Sequence, residues 1–308
     1  MLVYSVYMKE YRKEIIIALI SVAVAILAVW FFFFSIDEKK VTIQGDLYTI
    51  IAPNPNALIC INRPSLLTKI ILSDNNKQDL FTPYIPQVFL SVLDKGVIPF
   101  YLISYHAQGE VLYAKATMEQ ADEIAFKVLN PYFNSYDPQR IVVDGAEYTF
   151  YAIPGNRFFV TYYNNGVWAA SFSKKLLEYV AIQQSGGKFS LPESISDQRK
   201  LLDRSAPLNI IIPAERLNVY TQINDSTQVN LGNGWIYADI YVSENKLCTF
   251  TRIPYHASFD SIYPLLADTL QLRLKSFFPQ HNFMLQFDKD NDQIYYTTCL
   301  NQTDSISN

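Results

Sequence analysis

Glycine, charge and short catalytic motifs are all scarce in this sequence. It contains 10 glycines among 308 residues, whereas an average usage near 7% would give about 22. Loops that hold phosphate through backbone N–H groups depend on glycine, and the sequence has no P-loop, no G-x-G-x-x-G and no G-x-S-x-G. These absences leave nucleotide-binding and serine-hydrolase sites unsupported, and we predict no catalytic residue and no cofactor-binding residue.

Charged residues make up only 18% of the chain, and the formal net charge is −4. Nucleic-acid-binding domains usually carry a clustered excess of Lys and Arg, so we predict no nucleic-acid partner. Hydrophobic residues account for 50% of the composition, which is typical of a folded chain and not of a disordered one. The residues from Pro53 onward are enough for one large domain or two ordinary ones.

Metal and redox motifs are also missing. The three cysteines, Cys60, Cys248 and Cys299, form no C-x-x-C, and the chain has no H-E-x-x-H. We therefore predict no metal ligand. Each cysteine lies in an apolar, strand-like stretch, which is typical of a small buried side chain. If an internal disulfide forms, the favoured pair is Cys248 with Cys299; the alternative is that all three are buried thiols.

Two further patterns are weak candidates for chemistry. The run from Asp288 to Asp292 begins like a calcium-binding loop, but Gln293 stands where glycine is needed and Cys299 where glutamate is needed. We predict a solvated hairpin turn there. S-x-x-K occurs at Ser171 and twice more, but the S-D-N and K-T-G partners of that motif are out of order or missing, so we predict capping and solvated lysines instead of an active site.

The histidines raise one further possibility. Tyr105-His106-Ala107 recurs as Tyr255-His256-Ala257, which could mark a paired site. The first copy is predicted to lie in a hairpin turn and the second before a helix, so the two copies do not occupy equivalent elements. We therefore expect histidines at the surface or at element boundaries.

A long apolar run is the strongest feature that is present. Ile15 to Phe34 is twenty residues without a charge, and at about 1.5 Å per residue it spans roughly 30 Å, the thickness of a bilayer core. A cleaved signal peptide has a shorter apolar region and a small-x-small site after it, and a buried core helix is the remaining alternative. We predict a cytoplasmic tail over 1–14, a transmembrane anchor over 15–35 and a spacer over 36–52.

The charges that flank this run predict its orientation. Lys9, Arg12 and Lys13 precede it, while Lys39 and Lys40 follow it. Basic residues stay preferentially in the cytoplasm, so we expect a single-pass protein of the inner (cytoplasmic) membrane with an extracytoplasmic C-terminal domain. Membrane lipid is then a partner through residues 15–35.

The rest of the chain predicts an α+β fold with a largely antiparallel sheet, because its strands follow one another as hairpins. Thr117 and Gln120 match a capping box at the start of a helix that Pro131 should end, and Ser173 should cap another helix. Helices are also predicted after Arg63, over 86–93 and over 261–278. The predicted strands are 57–61, 97–104, 110–116, 141–143, 147–152, 157–163, 167–171, 235–242, 247–253, 283–287 and 294–299.

The second half of the chain resembles a repeat of the first. Residues 57–67 (ALICINRPSLL) and 207–217 (PLNIIIPAERL) share an apolar strand, a proline at its exit and the start of a short helix. A hairpin, a helix and another hairpin follow in both halves. We predict a duplicated sheet-plus-helix unit, with its first half over 53–205 and its second over 206–308.

Aromatic residues reach 15% of the chain and follow the predicted strands. Between Trp235 and Val242, alternation should bury the aliphatic residues and leave an aromatic, partly polar face. The tyrosines of the strand faces either pack across strands or form a surface for a partner or a sugar; they are Tyr148, Tyr151, Tyr162, Tyr163, Tyr237, Tyr241, Tyr295 and Tyr296.

Taken with the anchor and spacer, the segments that begin at Ala57 (ALICINRPSLL), Asp144 (DGAEYTFYAI) and Gly166 (GVWAASFSKKLLEYVAIQ) resemble uncharacterised bacterial envelope proteins classed under a domain of unknown function. The resemblance covers most of the chain after Pro53. It implies a bacterial source and an envelope location, and it transfers no site residue.

We therefore predict a membrane-anchored envelope protein whose extracytoplasmic α+β domain is a non-catalytic binding module for a protein or another envelope component. The alternative is an envelope enzyme, such as a hydrolase, with a dispersed active site. Sensing of a small ligand comes third, because the short N-terminal tail offers no cytoplasmic output domain.

Overall fold

The computed structural model describes residues 46–72, 85–187, 202–213, 219–220, 228–229, 234–242, 246–254, 281–290 and 293–302. In these ranges no helix is long and apolar enough to cross a membrane. The predicted tail and anchor, residues 1–35, and the predicted helices over 214–217 and 261–278 lie outside them.

Twelve of the described strands form one sheet in which every pairing is antiparallel. This confirms the predicted α+β class with a large antiparallel sheet. Its spatial order is β13-β14-β12-β11-β8-β1-β2-β3-β7-β6-β5-β4, and β9 pairs separately with β10. The strands are β1 Ala57–Ile61, β2 Tyr101–His106, β3 Gly109–Lys115, β4 Gln139–Val143, β5 Ala146–Ile153, β6 Arg157–Asn164, β7 Val167–Ser171, β8 Leu208–Pro213, β9 Val219–Tyr220, β10 Gln228–Val229, β11 Trp235–Val242, β12 Lys246–Pro254, β13 His281–Asp290 and β14 Gln293–Gln302.

Four α-helices of the described chain pack on this sheet: α1 Pro64–Leu72, α2 Gln87–Asp94, α3 Met118–Ile124 and α4 Lys174–Gln184. The capping box of α3 is confirmed, since Gln120 N donates to Thr117 Oγ1 at 3.2 Å and Thr117 N donates to Gln120 Oε1 at 2.9 Å. Ser173 does precede α4, but its side chain makes no capping hydrogen bond to the residues described.

The helix that begins at Met118 does not end at Pro131, so that part of the prediction is wrong. α3 continues through a π-helical segment, Ala125–Leu129, into a last turn, Asn130–Tyr132. In an unbroken α-helix, Pro131 would clash with the carbonyl of Lys127 and would have no N–H to donate to it. The change to the wider π register, in which Asn130 N donates to Ala125 O, lies just before the proline and lets the helix continue one residue past it.

The sheet has a hydrophobic core on both faces, because successive residues of a strand point to opposite sides. In β1, Ile59 and Ile61 pack on the face that α1, α2 and α3 cover, which we call the first face. Leu58 and Cys60 pack on the opposite, second face, which α4 and a 3-10 turn, Leu47–Ile50, cover. The molecule is therefore three-layered over the described strands of its first half.

Two expectations about burial need correction. Tyr237 and Asp239 of β11 are 3% and 2% exposed, so the face predicted to be aromatic and partly polar is buried at these positions. Residues 46–52, predicted as spacer, belong to the folded unit that begins at Gly45. Leu47, Ile50 and Ile51 are buried in the core of the second face.

The first strands of the two predicted halves meet at the middle of the sheet. β1 pairs with β8, with Ile59 opposite Ile210. On one side β2, β3 and β7 follow outward from β1, and on the other side β11, β12 and β14 follow outward from β8. In both halves a hairpin follows the central strand, and the last strand of the half pairs with that hairpin. The duplication itself stays a prediction.

Candidate functional site

A cavity of about 610 Å³ lies at the sheet end where β1 and β3 finish and β2 and β8 begin. The loop before β2 supplies Ile98 and Phe100 to its wall, the 3-10 turn supplies Leu47, and the segment before β8 supplies Leu202. These side chains are buried or half-buried. Three separate parts of the chain therefore build the apolar interior of the cavity together.

Two basic residues, Lys115 and Arg204, line this cavity. Lys115 is the last residue of β3, and Arg204 lies in the segment before β8; both are exposed. Among the described residues, neither has a carboxylate partner. Asp46 is the one acidic residue among the described residues of the lining, and its Oδ1 accepts the backbone N–H of Tyr48 at 3.2 Å. The described part of the lining is therefore net positive in a chain whose net charge is −4.

A buried polar network continues from the cavity into the sheet. Asn62 and Asn209 line the cavity; Asn62 Nδ2 donates to Asn209 Oδ1 at 2.6 Å, and Asn209 Nδ2 donates to Asp239 Oδ1 at 2.7 Å. Asp239 Oδ2 accepts from Arg252 at 2.9 Å. Burial raises the pKa of the Asp239 carboxyl, while the Asp203 backbone N–H, the Arg252 charge and the Asn209 donor oppose that rise. The network joins β1, β8, β11 and β12.

The same network fixes the segment that carries Arg204. Asp203 N donates to Asp239 Oδ1 at 3.1 Å, and Asp203 O accepts from Asn209 Nδ2 at 3.0 Å. The carboxylate of Asp203 accepts hydrogen bonds from Tyr241, from the Ser205 hydroxyl and from the Ser205 backbone, and these bonds lower its pKa. Arg204 is thus held between two anchored neighbours at the mouth of the cavity.

A second chain of hydrogen bonds attaches the N-terminal part of the folded unit to the sheet. Ser104 Oγ lies 2.7 Å from His106 Nε2 and 2.9 Å from Tyr113 Oη, and Tyr113 Oη accepts from Ala52 N at 3.2 Å. His106 also hydrogen-bonds backbone groups of Pro53. A serine beside a histidine is the beginning of a nucleophile and base pair, but Ser104 is fully buried and lines neither cavity described here.

The sheet ends at β4, an edge strand whose side chains are exposed on both faces. In the described sheet β4 pairs with β5 alone, and all five of its residues are exposed. Ile141, Val142 and Val143 are 48%, 66% and 50% exposed. Natural edge strands usually carry charges or proline that prevent pairing with other chains, and the one charge on β4, Arg140, is occupied by Asp122 at 3.1 Å and Glu147 at 2.9 Å.

The second face is open beside this edge. The ladder places Ile141 opposite Tyr148 and Val143 opposite Ala146 on that face. A groove of about 420 Å³ runs between this part of the sheet and α4, where Ile182 is 50% exposed. Burial, followed by the charges of Tyr162, Glu178 and Asp144, raises the pKa of Tyr148 to about 12. The apolar and aromatic side chains on this part of the second face that are exposed or half-buried form what we call the open surface. They are Ile141, Val143, Tyr148, Phe150, Phe158 and Ile182.

The residues that the sequence singled out fall in several places. His106 is the last residue of β2 and pairs with Gly109, so it lies outside the two-residue turn where it was predicted. His256 lies outside the described residues. Ser171 is buried and donates to Glu110 O at 2.7 Å, while Lys174 pairs with Glu178 at 3.1 Å. The predicted cap at Ser173 is not formed by its side chain in the described residues, while Lys174 and Lys175 are exposed as predicted.

The predicted hairpin turn near Asp288 is confirmed in its position, because the β13 and β14 ladder runs to Asp290 opposite Gln293. Within the described ranges, no group of three or more His, Cys, Asp or Glu side chains could hold a metal ion.

Cross-strand packing accounts for the described tyrosines of the first half. Tyr148 and Tyr162 are opposite in the ladder with ring centroids 5.2 Å apart. Tyr151 lies opposite Phe159 in the same ladder, with ring centroids 6.2 Å apart. The side chains of Tyr295 and Tyr296 lie outside the described part of the chain.

The described cysteines differ in their bonding. Cys60 is a buried thiol outside any disulfide, with its Sγ 2.8 Å from Tyr48 Oη. Cys248 is disulfide-bonded, and the residue opposite it in the ladder between β12 and β14 is Cys299, the partner that the sequence favoured.

No sequence pattern pointed to Lys115, Arg204 or the exposure of β4 as site features. Lys115 and Arg204 are far apart in the chain, and only the pairing of β1 with both β2 and β8 brings their segments to one end of the sheet. A run such as Ile141 to Val143 is equally typical of a central strand.

No family model and no curated protein matches this sequence. Solved structures that match it include crystal forms of TP0453. Form I has 9% sequence identity and a TM-score of 0.48 over 83% of this chain and 90% of that one. Forms III and IV have 10% and 11% identity, TM-scores of 0.47 and 0.45, and cover 84% of this chain and 95% and 94% of theirs.

Proposed function

We propose that this protein is a non-catalytic binding module of the bacterial envelope, tethered in the inner membrane by residues 15–35, and that it binds a partner protein by adding a strand to β4. The single observation that carries the proposal is the exposed edge strand, with apolar residues on both of its faces. The disulfide of Cys248 supports an oxidising compartment, because such bonds persist outside the reducing cytoplasm.

The backbone of β4 offers unpaired groups in a regular pattern. Val143 and Ala146 flank a two-residue turn, Asp144-Gly145, whose positive φ values of 51° and 80° are those of a type I′ hairpin. Such a turn closes with a hydrogen-bonded pair, so alternation directs the N–H and C=O of Val142 and Arg140 away from β5. Free main-chain donors and acceptors at a sheet edge recognise an extended strand.

The open surface specifies the side chains of that strand. Alternate apolar residues of an added strand would continue the face formed by Ile141 and Val143 and would shield it from water. Asp144 is a carboxylate at the end of β4 without an ion-pair partner in the described residues. A basic residue in the partner strand would complement it.

A second copy of this chain fits the edge less well. If two β4 strands paired antiparallel about Ile141, Asp144 of each would lie opposite Pro138 and beside Asp137 of the other. Pro138 has no N–H, so it cannot donate the ladder hydrogen bond at that pair, and it offers no charge to Asp144. The partner is therefore a different protein with an apolar, partly basic strand.

The test uses photocrosslinking in the full-length chain in its native membranes. A photoreactive phenylalanine analogue replaces Ile141, and a second variant carries it at Phe126, an exposed position on the opposite face. We expect a discrete crosslinked product from position 141 that is absent at position 126.

The backbone contribution is tested by Val142→Pro against Val142→Thr in the same background. Proline removes the outward N–H, whereas threonine keeps it with nearly the same shape, so only the proline variant should lose the product. Retention of the product in V142P would overturn strand addition. A product with the mass of two copies of this chain would overturn the heterologous partner.

A further inference from the structure

We infer that the cavity of about 610 Å³ at the sheet end where β1 and β3 finish and β8 begins binds a small organic monoanion that carries an apolar body. The inference is independent of strand addition at β4, because the cavity and the open surface share no residue.

The size and the walls of the cavity determine the body of the ligand. Small-molecule sites usually measure about 300–1,000 Å³ and are lined mainly by apolar side chains with a few placed polar groups. This cavity falls in that range, and Leu47, Phe100 and Leu202 contribute apolar walls. A ligand without an apolar part would leave these walls hydrated and would gain nothing from them.

The charges determine the head group. Lys115 and Arg204 line the cavity without carboxylate partners among the residues described, so they are available to an anion. Arg204 can hold a carboxylate or phosphate in a bidentate manner, and Lys115 adds a point charge.

The positions of these cations are set by the fold. Lys115 pairs with Val167 at the end of the β3 and β7 ladder. Arg204 stands between Asp203 and Ser205, which the Asp239 network holds in place. Less conformational entropy is therefore lost when these residues engage a ligand than if both lay on unanchored loops.

Asp46 limits the charge of the ligand. Its carboxylate belongs to the same lining and caps the 3-10 turn through Tyr48 N. A second anionic group on the ligand would meet this carboxylate, since the described lining residues carry two cations and one anion and so leave a single net positive charge. A monoanion therefore fits better than a polyphosphate.

The test is isothermal titration calorimetry on the full-length chain in lipid nanodiscs, with empty nanodiscs as the blank. The probes are biphenyl-4-carboxylate, its neutral amide biphenyl-4-carboxamide, decanoate and inorganic phosphate. We expect saturable binding of the carboxylate, at least about threefold tighter than the amide if each cation contributes as an exposed ion pair does, and no binding of phosphate. Binding of decanoate but not of biphenyl-4-carboxylate would identify a lipid-like ligand, and the reverse would identify a compact one; either result supports the organic monoanion.

Variants locate the binding. Lys115→Gln and Arg204→Gln should each weaken the carboxylate by roughly twofold to fivefold and leave the amide unchanged. Lys127→Gln is the matched control, because Lys127 is an exposed lysine on the helix of the first face and is paired with Glu123. Leu202→Phe should weaken both compounds by filling the cavity, and its thermal midpoint reports whether it folds.

Equal affinity for the carboxylate and the amide would overturn the anion site. Equal affinity in the wild type and in the double variant Lys115→Gln/Arg204→Gln would overturn its location. The absence of saturable binding by both biphenyl compounds and decanoate would overturn the inference as a whole, and none of these results would alter the crosslinking outcome at β4.

Discussion

His106 joins two parts of the folded unit through one neutral ring. It sits at the end of β2, where Nε2 contacts Ser104 and the ring also hydrogen-bonds backbone groups of Pro53 and Asn54. Burial lowers the pKa of this histidine, and the backbone hydrogen bonds oppose that change. Burial of the ring therefore favours its neutral form in the folded unit.

Acid should lower the stability of the folded unit through this histidine. The stability contributed by a group whose folded pKa is lowered is present above its unfolded pKa, about 6.5 for histidine, and is lost as the pH falls below it. We expect the free energy of unfolding, measured with urea at about pH 8 and about pH 5.5, to fall more in the wild type than in His106→Asn, because asparagine does not titrate. An equal fall in both proteins would contradict the role of His106.

Asp239 and Arg252 form the most buried ion pair of the described chain, with side chains 2% and 15% exposed. Removing one partner of such a pair leaves the other charge without compensation, at a cost of about 3–5 kcal/mol. We expect Asp239→Ala to lower the free energy of unfolding by about that amount. Asp144→Asn, at an exposed turn, should change it by no more than about 0.5 kcal/mol.

The double variant Asp239→Asn/Arg252→Met measures how strongly the two charges depend on each other. It should lower the free energy of unfolding by less than the sum of the losses in Asp239→Asn and in Arg252→Met, because neither charge is then left unpaired. Additive costs would show that the two side chains stabilise the sheet independently.

At the scale of elements, the two predicted helix caps differ although both have a hydroxyl at the right position. Thr117 exchanges hydrogen bonds with Gln120, whereas the Ser173 side chain makes no capping bond to the residues described. We expect Thr117→Ala to lower the free energy of unfolding by about 1 kcal/mol. Ser173→Ala should cost clearly less. If chemical denaturation gave the same loss of unfolding free energy for Thr117→Ala and Ser173→Ala, the difference between the two caps would be contradicted.

Elements whose signals are local were predictable from the sequence. β1 was predicted with its observed bounds, and the turns at Asp144 and Asn165 follow from Asx-Gly pairs at positive φ. The π segment before Pro131 was missed, because it depends on helix packing as well as on the proline. The exposure of β4 was missed too, because the position of a strand within a sheet is set by pairings between segments distant in sequence.

At the scale of the molecule, the large antiparallel sheet follows from hairpin spacing, whereas the cavity does not follow from any local pattern. Its lining comes from the 3-10 turn, from β1, from the loop before β2, from β3 and from the segment before β8. Only the complete strand order brings these parts together, and the sequence predicted hairpins without predicting how they join. The same strand order also buries tyrosines on both faces of the sheet.

Those tyrosines should make the whole domain sensitive to alkali. Burial raises the pKa of Tyr113 and of Tyr151 to about 12, and also raises that of Tyr101 and Tyr237. A group with a raised folded pKa contributes stability that is complete below its unfolded pKa, about 10 for tyrosine, and is lost as the pH rises through the folded value. We expect the free energy of unfolding to fall from about pH 10 upward.

Tyr151→Phe isolates one contribution, because the Tyr151 hydroxyl is buried without a hydrogen-bond partner among the described residues. Its shift to about 12 corresponds to about 3 kcal/mol of stability lost between about pH 10 and pH 12. The variant should be at least as stable as the wild type at neutral pH and should lose less with rising pH. Identical pH profiles would rule out this contribution.

The pairing of β1 with β8 has a consequence for biosynthesis. β1 emerges from the ribosome long before Leu208–Pro213, the strand that completes its second edge. Until those residues are made, the nascent first half has two unpaired strand edges, one at β1 and one at β4, and such edges template association with other chains. Closure of the β1 edge must therefore wait for the second half, and a chain truncated before residue 208 should aggregate through β1.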